Sequence, residues 1–422
     1  MAILVRHDFF ADAFARRART KKIGRAVTSL PTDQLTSFVK TYSFSLGGSL
    51  GWRSFFARTL IDWIEQSASH RDTTTALADR TSHGALPRTV GGLLSASQLT
   101  GALGLHLASF TFEQHARDLI VSRERAAKHS VDLLRLVQTA IYEGDLEHAV
   151  AVAKRLRERL GPRRSTLDSY RNLWAYLAIW SGKVADNLEV EPASRLHRWQ
   201  GYVRDQRINI YGPGVVPPEC SSIPPDEKVV RIAGPGAYKW SNSRDLAMGR
   251  TNIVYVNPET LSSIGKSDED RIAIFGGYDF VRVKKASANY LPNALRVDTA
   301  SRLFLRGHPN MVPLICLDTC RVPGTLVRVF GSDFFASPIA YREDSRRSVG
   351  EGQRQDVQGS TGRPYDRSTL MASHNVFENR EVVRNLYLAG KISGDSSFSA
   401  ALEMSSQRYA ETLDRIYGET RS

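Results

Sequence analysis

The chain has 422 residues, 41% hydrophobic and 24% charged, the balance of an ordinary globular protein with room for two domains or one large one. Its formal charge of +13 favours anionic partners. No apolar run approaches the roughly 18 residues of a spanning helix, and the three cysteines, Cys220, Cys316 and Cys320, exclude a disulfide framework.

The first 30 residues carry Arg6, Arg16, Arg17, Arg19, Lys21, Lys22 and Arg25 against Asp8 and Asp12, with Phe9, Phe10 and Phe14 interleaved. Such a segment suits a basic amphipathic helix on an anionic membrane surface, and equally a solvated helix packed on the body of the protein. It lacks the order of a secretory signal, so the expected location is the cytoplasm, with peripheral attachment at the inner face of the membrane as a further expectation. Nothing matches a nucleic-acid-binding motif, and no nucleic acid partner is expected. Residues 32–120 mix helical patterns with breaks such as "SFSLGGSLGW". Residues 132–160 hold two amphipathic patterns joined at "EGD", and "TLDSYRNLWAYLAIWSGKV" holds a third. The hairpin near 130–182 resembles a tetratricopeptide unit, a single one rather than an array.

The stretch 209–228 has five prolines and no sustained period, and reads as a linker. A mainly α-helical region, 1–208, thus precedes an α/β unit, 229–422. In the latter, "KVVRIAGPG", "NIVYVN", "RIAIFGGYDFVRV" and "LVRVFGSDFF" are short β-rich runs, and "NMVPLICLDTC" reads as a helix or buried run. Strands alternating with helices and loops imply an α/β sheet covered on both faces, which binds ligands beyond the carboxyl ends of its strands. The candidate site residues therefore follow strands or open helices. They are Gly234, Pro235 and Gly236 after the first run, Asn257 after the second, Gly307, His308 and Asn310 before a helix, and Gly331, Ser332 and Asp333 after the last run, with Tyr341 beyond. Each has a plainer reading as a turn or cap. The Arg-, Asp- and Gly-rich stretch 342–368 reads as an exposed loop or lid. It leads to "SHNVFENREVVRNLYLAGKISGD", where Asn375 and Glu378 form an N-cap pair, Gly390 a C-cap, and His374 stands at the helix mouth.

This succession resembles the sialyltransferase-like glycosyltransferases (family 29-like), in particular the bacterial relatives that use CMP-activated sialic acid or Kdo. "VVRIAGPG", Asn257, "LRGHPNMVPLICLDTC" with "VRVFGSDFFASPIAY", and "HNVFENREVVRNLYLAGKISGD" are similar to its successive motifs. The resemblance spans about residues 223–418. It implies a Rossmann-like glycosyltransferase domain that moves an ulosonic acid, with inversion, from a CMP-sugar to a glycan or lipid-linked glycan acceptor in surface polysaccharide synthesis. His374 would be the catalytic base and the glycine turns the donor seat, with no metal and no cofactor besides the donor. The usual family spacing is His-x4-Glu, whereas here position 379 is asparagine and Glu378 reads as the capping partner. Two other readings stand beside it: a different nucleotide- or SAM-dependent α/β transferase, and a non-enzymatic helical adaptor with a degenerate α/β domain.

Overall fold

The computed structural model describes residues 22–81, 86–161, 170–181, 193–214, 223–233, 251–257, 261, 267–284, 291, 293–297, 301–307, 309–337, 368, 371–372 and 374–417. Gly234, Pro235, Gly236, His308, Tyr341, the basic residues before Lys22 and nearly all of the 342–368 loop lie outside them.

The described part of the first half is helical: α1 Thr32–Ser45, α2 Leu50–Ile64, α3 His70–Thr81, α4 Val90–Ala102, α5 His106–Ser122, α6 Ser130–Glu143, α7 Leu146–Leu160, α8 Arg171–Ser181 and α9 Ala193–Val203. Hydroxyl caps start two of them: Ser49 accepts from the Trp52 N–H and Thr89 from the Gly92 N–H. The stretch 130–182, expected to hold a hairpin, contains α6, α7 and α8. At its turn Gly144 is left-handed (φ +77°), and Asp145 caps α7 by accepting from the His148 N–H. A Cβ on Gly144 would lie 3.2 Å from Asn385 Oδ1, because the turn packs on a helix of the second half.

Among the described residues seven strands then form one parallel sheet: β1 Arg207–Tyr211, β2 Lys228–Ala233, β3 Ile253–Val256, β4 Phe280–Lys284, β5 Ala294–Val297, β6 Leu326–Phe330 and β7 Ile392–Gly394. Their spatial order is β5-β4-β3-β2-β1-β6-β7. The chain walks outward from β1 to β5, then returns to the other side of β1 and adds β6 and β7. The walk thus reverses between β1 and β6, whose register pairs Asn209 with Arg328 and Tyr211 with Phe330. The remaining α-helices among the described residues are α10 Asp268–Phe275, α11 Met311–Cys320, α12 Val376–Leu388, α13 Ser396–Glu403 and α14 Ser406–Tyr417.

The expected α/β sheet is therefore present, with two corrections to its parts. "RIAIF" is helical within α10, because Ser267 and Asp270 close a reciprocal capping box that starts a helix where the apolar pattern alone suggests a strand. The acidic run "SDED" is that helix start. The stretch read as linker begins inside β1.

The core follows from strand alternation. Ile208, Ile210, Val230, Tyr255, Val327 and Val329 point to one face, where they join a single apolar cluster reaching from Ile23 to Tyr417 and taking in α1–α9 and α11–α14. The opposite face packs Val254, Val256, Val281 and Val283 against Phe275 of α10. Polar ties also join the two halves. Asp414 in α14 accepts from the His106 and Leu107 N–H groups at the start of α5, and Asn385 in α12 donates to the Ile141 carbonyl near the end of α6 (2.6 Å). Beneath the sheet Arg282 of β4 forks onto Asp318 of α11, which also accepts from Tyr255 (2.7 Å), and the guanidinium stacks on Trp199. Burial would raise the Asp318 carboxyl, but Arg282 and Arg321 hold it below its usual range. Among the described residues no helix is long and apolar enough to cross a membrane.

Candidate active site at the carboxyl edge of the sheet

All seven strands run the same way, so every strand ends at one edge. The helices that lead back into β6 and β7 run against the strands, which brings the N-termini of α11 and α12 to that same edge. Asn257, Gly331, Ser332, Asp333, Gly307, Asn310 and His374 therefore share it. Asn257 is half-buried at the end of β3, with its carbonyl accepting from Leu261 N–H (2.8 Å). It stands three strand spacings from Gly331, about 14 Å, so one small group cannot bridge the two.

At the reversal the ends of β1 and β6 pinch together. Gly212 N–H donates to the Phe330 carbonyl (2.8 Å) and Gly214 N–H to the Gly331 carbonyl (2.7 Å). A Cβ on Gly212 or Gly214 would meet Gly331 O at 2.5 or 2.7 Å, so only glycine allows the approach. These two glycines were missed in the sequence, where "NIYGPG" was assigned to the linker. The signal was available, since "NIYGPG" repeats the strand-then-Gly-Pro-Gly form of "RIAGPG".

Beyond β6 the backbone is strained. Gly331 (φ +62°), Phe334 (φ +52°) and Phe335 (φ +68°) are all left-handed, which for the two phenylalanines costs roughly 1–3 kcal/mol each. The last helix holds the turn: Tyr409 donates to the Phe334 carbonyl, and Tyr417 to the carbonyls of Phe335 (3.1 Å) and Ser337 (3.0 Å). Gly331 N–H is held by Asp395 (2.6 Å), which also caps α13 at Phe398 N–H (2.8 Å). Within the turn Asp333 accepts from Phe335 N–H (3.0 Å), and burial pushes its carboxyl above the usual range against its bond to Ser337.

The mouths of α11 and α12 are joined by one side chain. Asn379 accepts from the Asn310 N–H (2.7 Å) and donates to the carbonyls of His374 and Asn375 (3.0 Å to the latter). Lys284, at the end of β4, reaches the Pro309 carbonyl (3.1 Å). Two candidates taken from the sequence, Asn310 and His374, are thereby brought together. His374 is half-buried one residue ahead of the N-cap, since Asn375 is the left-handed cap (φ +48°).

Glu378 does not act as the reciprocal cap. Asn375 Oδ1 accepts from the Glu378 N–H (3.5 Å), but the Glu378 carboxylate turns to the preceding loop, accepting from Leu305 N–H (2.6 Å), Arg306 N–H (3.0 Å) and Asn375 Nδ2 (2.6 Å). Behind it lies Glu113 of α5, which accepts from Arg117, Arg306 (3.3 Å) and Asn375 Nδ2 (3.0 Å). Burial, then the neighbouring Glu113 charge, pushes Glu378 up to about 7, against the N–H donors that favour its ionised form. Glu113 is equally buried, but Arg117 and Arg306 hold it below its usual range. The charge of the pair therefore rests on Glu113, the member with cationic partners.

Cys316 is buried and Cys320 half-buried in α11, and burial pushes both thiols up, Cys320 to about 12. Among the described residues no three His, Cys, Asp or Glu side chains gather as metal ligands. Compared with protein-family models, curated proteins and solved structures, the chain finds no match in any of the three.

Proposed function

We propose that the chain is an inverting glycosyltransferase that moves an ulosonic acid from a CMP-sugar to a glycan acceptor, on a Rossmann-like sheet whose donor seat is the β1/β6 reversal. One observation carries the reading. The reversal point, the strained Gly331–Phe335 turn and the linked mouths of α11 and α12 all lie at the carboxyl edge of a single parallel sheet. This is where open α/β sheets take their nucleotides.

The chemistry follows from the groups at that edge. The acceptor hydroxyl attacks the anomeric carbon and gives its proton to the His374 imidazole at the mouth of α12. The bond between the anomeric carbon and the phosphate oxygen breaks, and its electron pair leaves with CMP. Backbone N–H groups in the first turn of α11, beyond the Asn310 N–H that Asn379 holds, receive the departing phosphate charge. The same reversal would also suit another nucleotide or SAM, and a calorimetric panel of CMP, UDP and SAM separates these readings. Binding of CMP with neither UDP nor SAM is expected. Binding of UDP or SAM without CMP would move the chain to another transferase class, and binding of none of the three would favour the adaptor.

A further inference from the structure

We propose that Glu113, in the middle of α5, is a positioning residue for the His374 turn and acts through Asn375, so that the helices of the first half form a wall of the site. The inference rests on the reading of His374 as the base.

Asn375 directly follows His374 and is left-handed, a conformation that asparagine enters more readily than most residues but that still costs free energy relative to the extended or helical regions. Its side chain supplies the restraint. Within α12 the cap bond from Glu378 N–H to Oδ1 is long, 3.5 Å. The amide hydrogens of Nδ2 divide between Glu378 (2.6 Å) and Glu113 (3.0 Å). Asn375 is fully buried, so without Glu113 one of those hydrogens would stand in the core with no acceptor.

Glu113 suits the task because it is itself immobile. It is fully buried, pairs with Arg117 one turn along α5, and accepts from Arg306 (3.3 Å) and Ser97 (3.5 Å). Arg117 lies 3.1 Å over the ring of Tyr142 in α6, which fixes the guanidinium in turn. A carboxylate needed only to neutralise Arg117 and Arg306 would have no cause to meet an amide 262 residues further along the chain. The same loop that brings Arg306 also carries the Leu305 and Arg306 N–H groups held by Glu378, so Glu113 braces both the His374 turn and the approach to Asn310.

The test is a cycle of Glu113→Asp, Asn375→Gly and the double variant in the full chain. The aspartate keeps the charge opposite both arginines and withdraws the carboxylate from Asn375. The glycine accepts the left-handed backbone and removes the link with Glu113 intact. Turnover of a CMP-sugar at saturation should fall by about 10²-fold in each single variant, the cost of a base held out of place, with CMP affinity within about twofold of wild type. The double variant should be no slower than the slower single one, since both remove the same link. A purely structural Glu113 would lower thermal stability in the aspartate variant and leave turnover per folded molecule unchanged, and that result overturns the proposal. Should wild type release no CMP from any CMP-sugar, the transferase reading falls, and the positioning is judged on the imidazole resonance of His374. Glu113→Asp must shift that line in the wild-type background and leave it in place in the N375G background. A line that does not move in the wild-type background, or that moves equally in both, overturns the positioning as well.

Discussion

Glu378→Gln removes a proton-binding group from the middle of the core and keeps its size. In the folded chain burial and the Glu113 charge push this carboxyl up to about 7, against an ordinary value of 4.5 for the unfolded chain. A raised folded value means that the folded state binds the proton more tightly. The resulting stability is complete below about 4.5 and lost as pH rises through about 7. Between pH 5.5 and pH 8 the loss covers about 1.5 pH units, or about 2 kcal/mol at 1.36 kcal/mol per unit. The carboxylates with lowered values, Glu113, Glu227 and Asp318, stay ionised throughout that window and add no slope. Glutamine faces the N–H groups of Leu305 and Arg306 with only one acceptor oxygen, so the variant carries a constant penalty. The readout is therefore the trend with pH: urea unfolding at fixed ionic strength should show the variant gaining about 2 kcal/mol relative to wild type from pH 5.5 to pH 8. A difference that stays constant across the window would show Glu378 ionised throughout, with its N–H donors outweighing burial.

Three further outcomes follow from the same contacts. Asp414→Ala deletes the carboxylate that accepts from His106 and Leu107 N–H, and should cost about 1–2 kcal/mol in urea unfolding; an unchanged midpoint would mean that α5 needs no cap from α14. Tyr417→Phe removes the hydroxyl from the Phe335 and Ser337 carbonyls, a loss of about 1–2 kcal/mol. Amide exchange over 333–337 should accelerate in that variant, and exchange at the wild-type rate would show that the turn holds itself. Gly212→Ala sets a methyl group 2.5 Å from the Gly331 carbonyl, so the ends of β1 and β6 must part and CMP affinity should fall at least about tenfold; an unaltered affinity would remove the reversal from the donor seat.

What was legible in the sequence was what local pattern controls. "NIVYVN" is a short continuous run of β-branched and aromatic residues, buried on both faces as β3, and Asn375 with Glu378 announces the start of α12. The apolar run 311–320, which reads as a helix or a buried run, is α11. Short strands were harder. β1, β5 and β7 have five, four and three residues, and the prolines after Tyr211 made the end of β1 look like linker. In α10 isoleucines suggested a strand, while the Ser267 capping box favoured a helix. The hub behind His374 had no local signature at all. Glu113 and Arg117 stand four apart on a helix, the spacing of an ordinary solvent-facing ion pair, yet both are buried because Arg306 and Asn375 arrive from the far end of the chain. Spacing alone also made Glu378 the capping partner, whereas the 302–307 loop supplies its backbone donors.

The most direct measurement is CMP release from CMP-sialic acid and CMP-Kdo by wild type and by His374→Asn, with CMP affinity measured on both proteins. Asparagine keeps much of the side chain's size and part of its hydrogen bonding but cannot accept the proton. The account predicts CMP release by wild type, a rate lower by about 10²–10⁴-fold in the variant, and CMP binding within about twofold. Turnover by His374→Asn near the wild-type rate, or a wild type that releases no CMP from either donor, would contradict it.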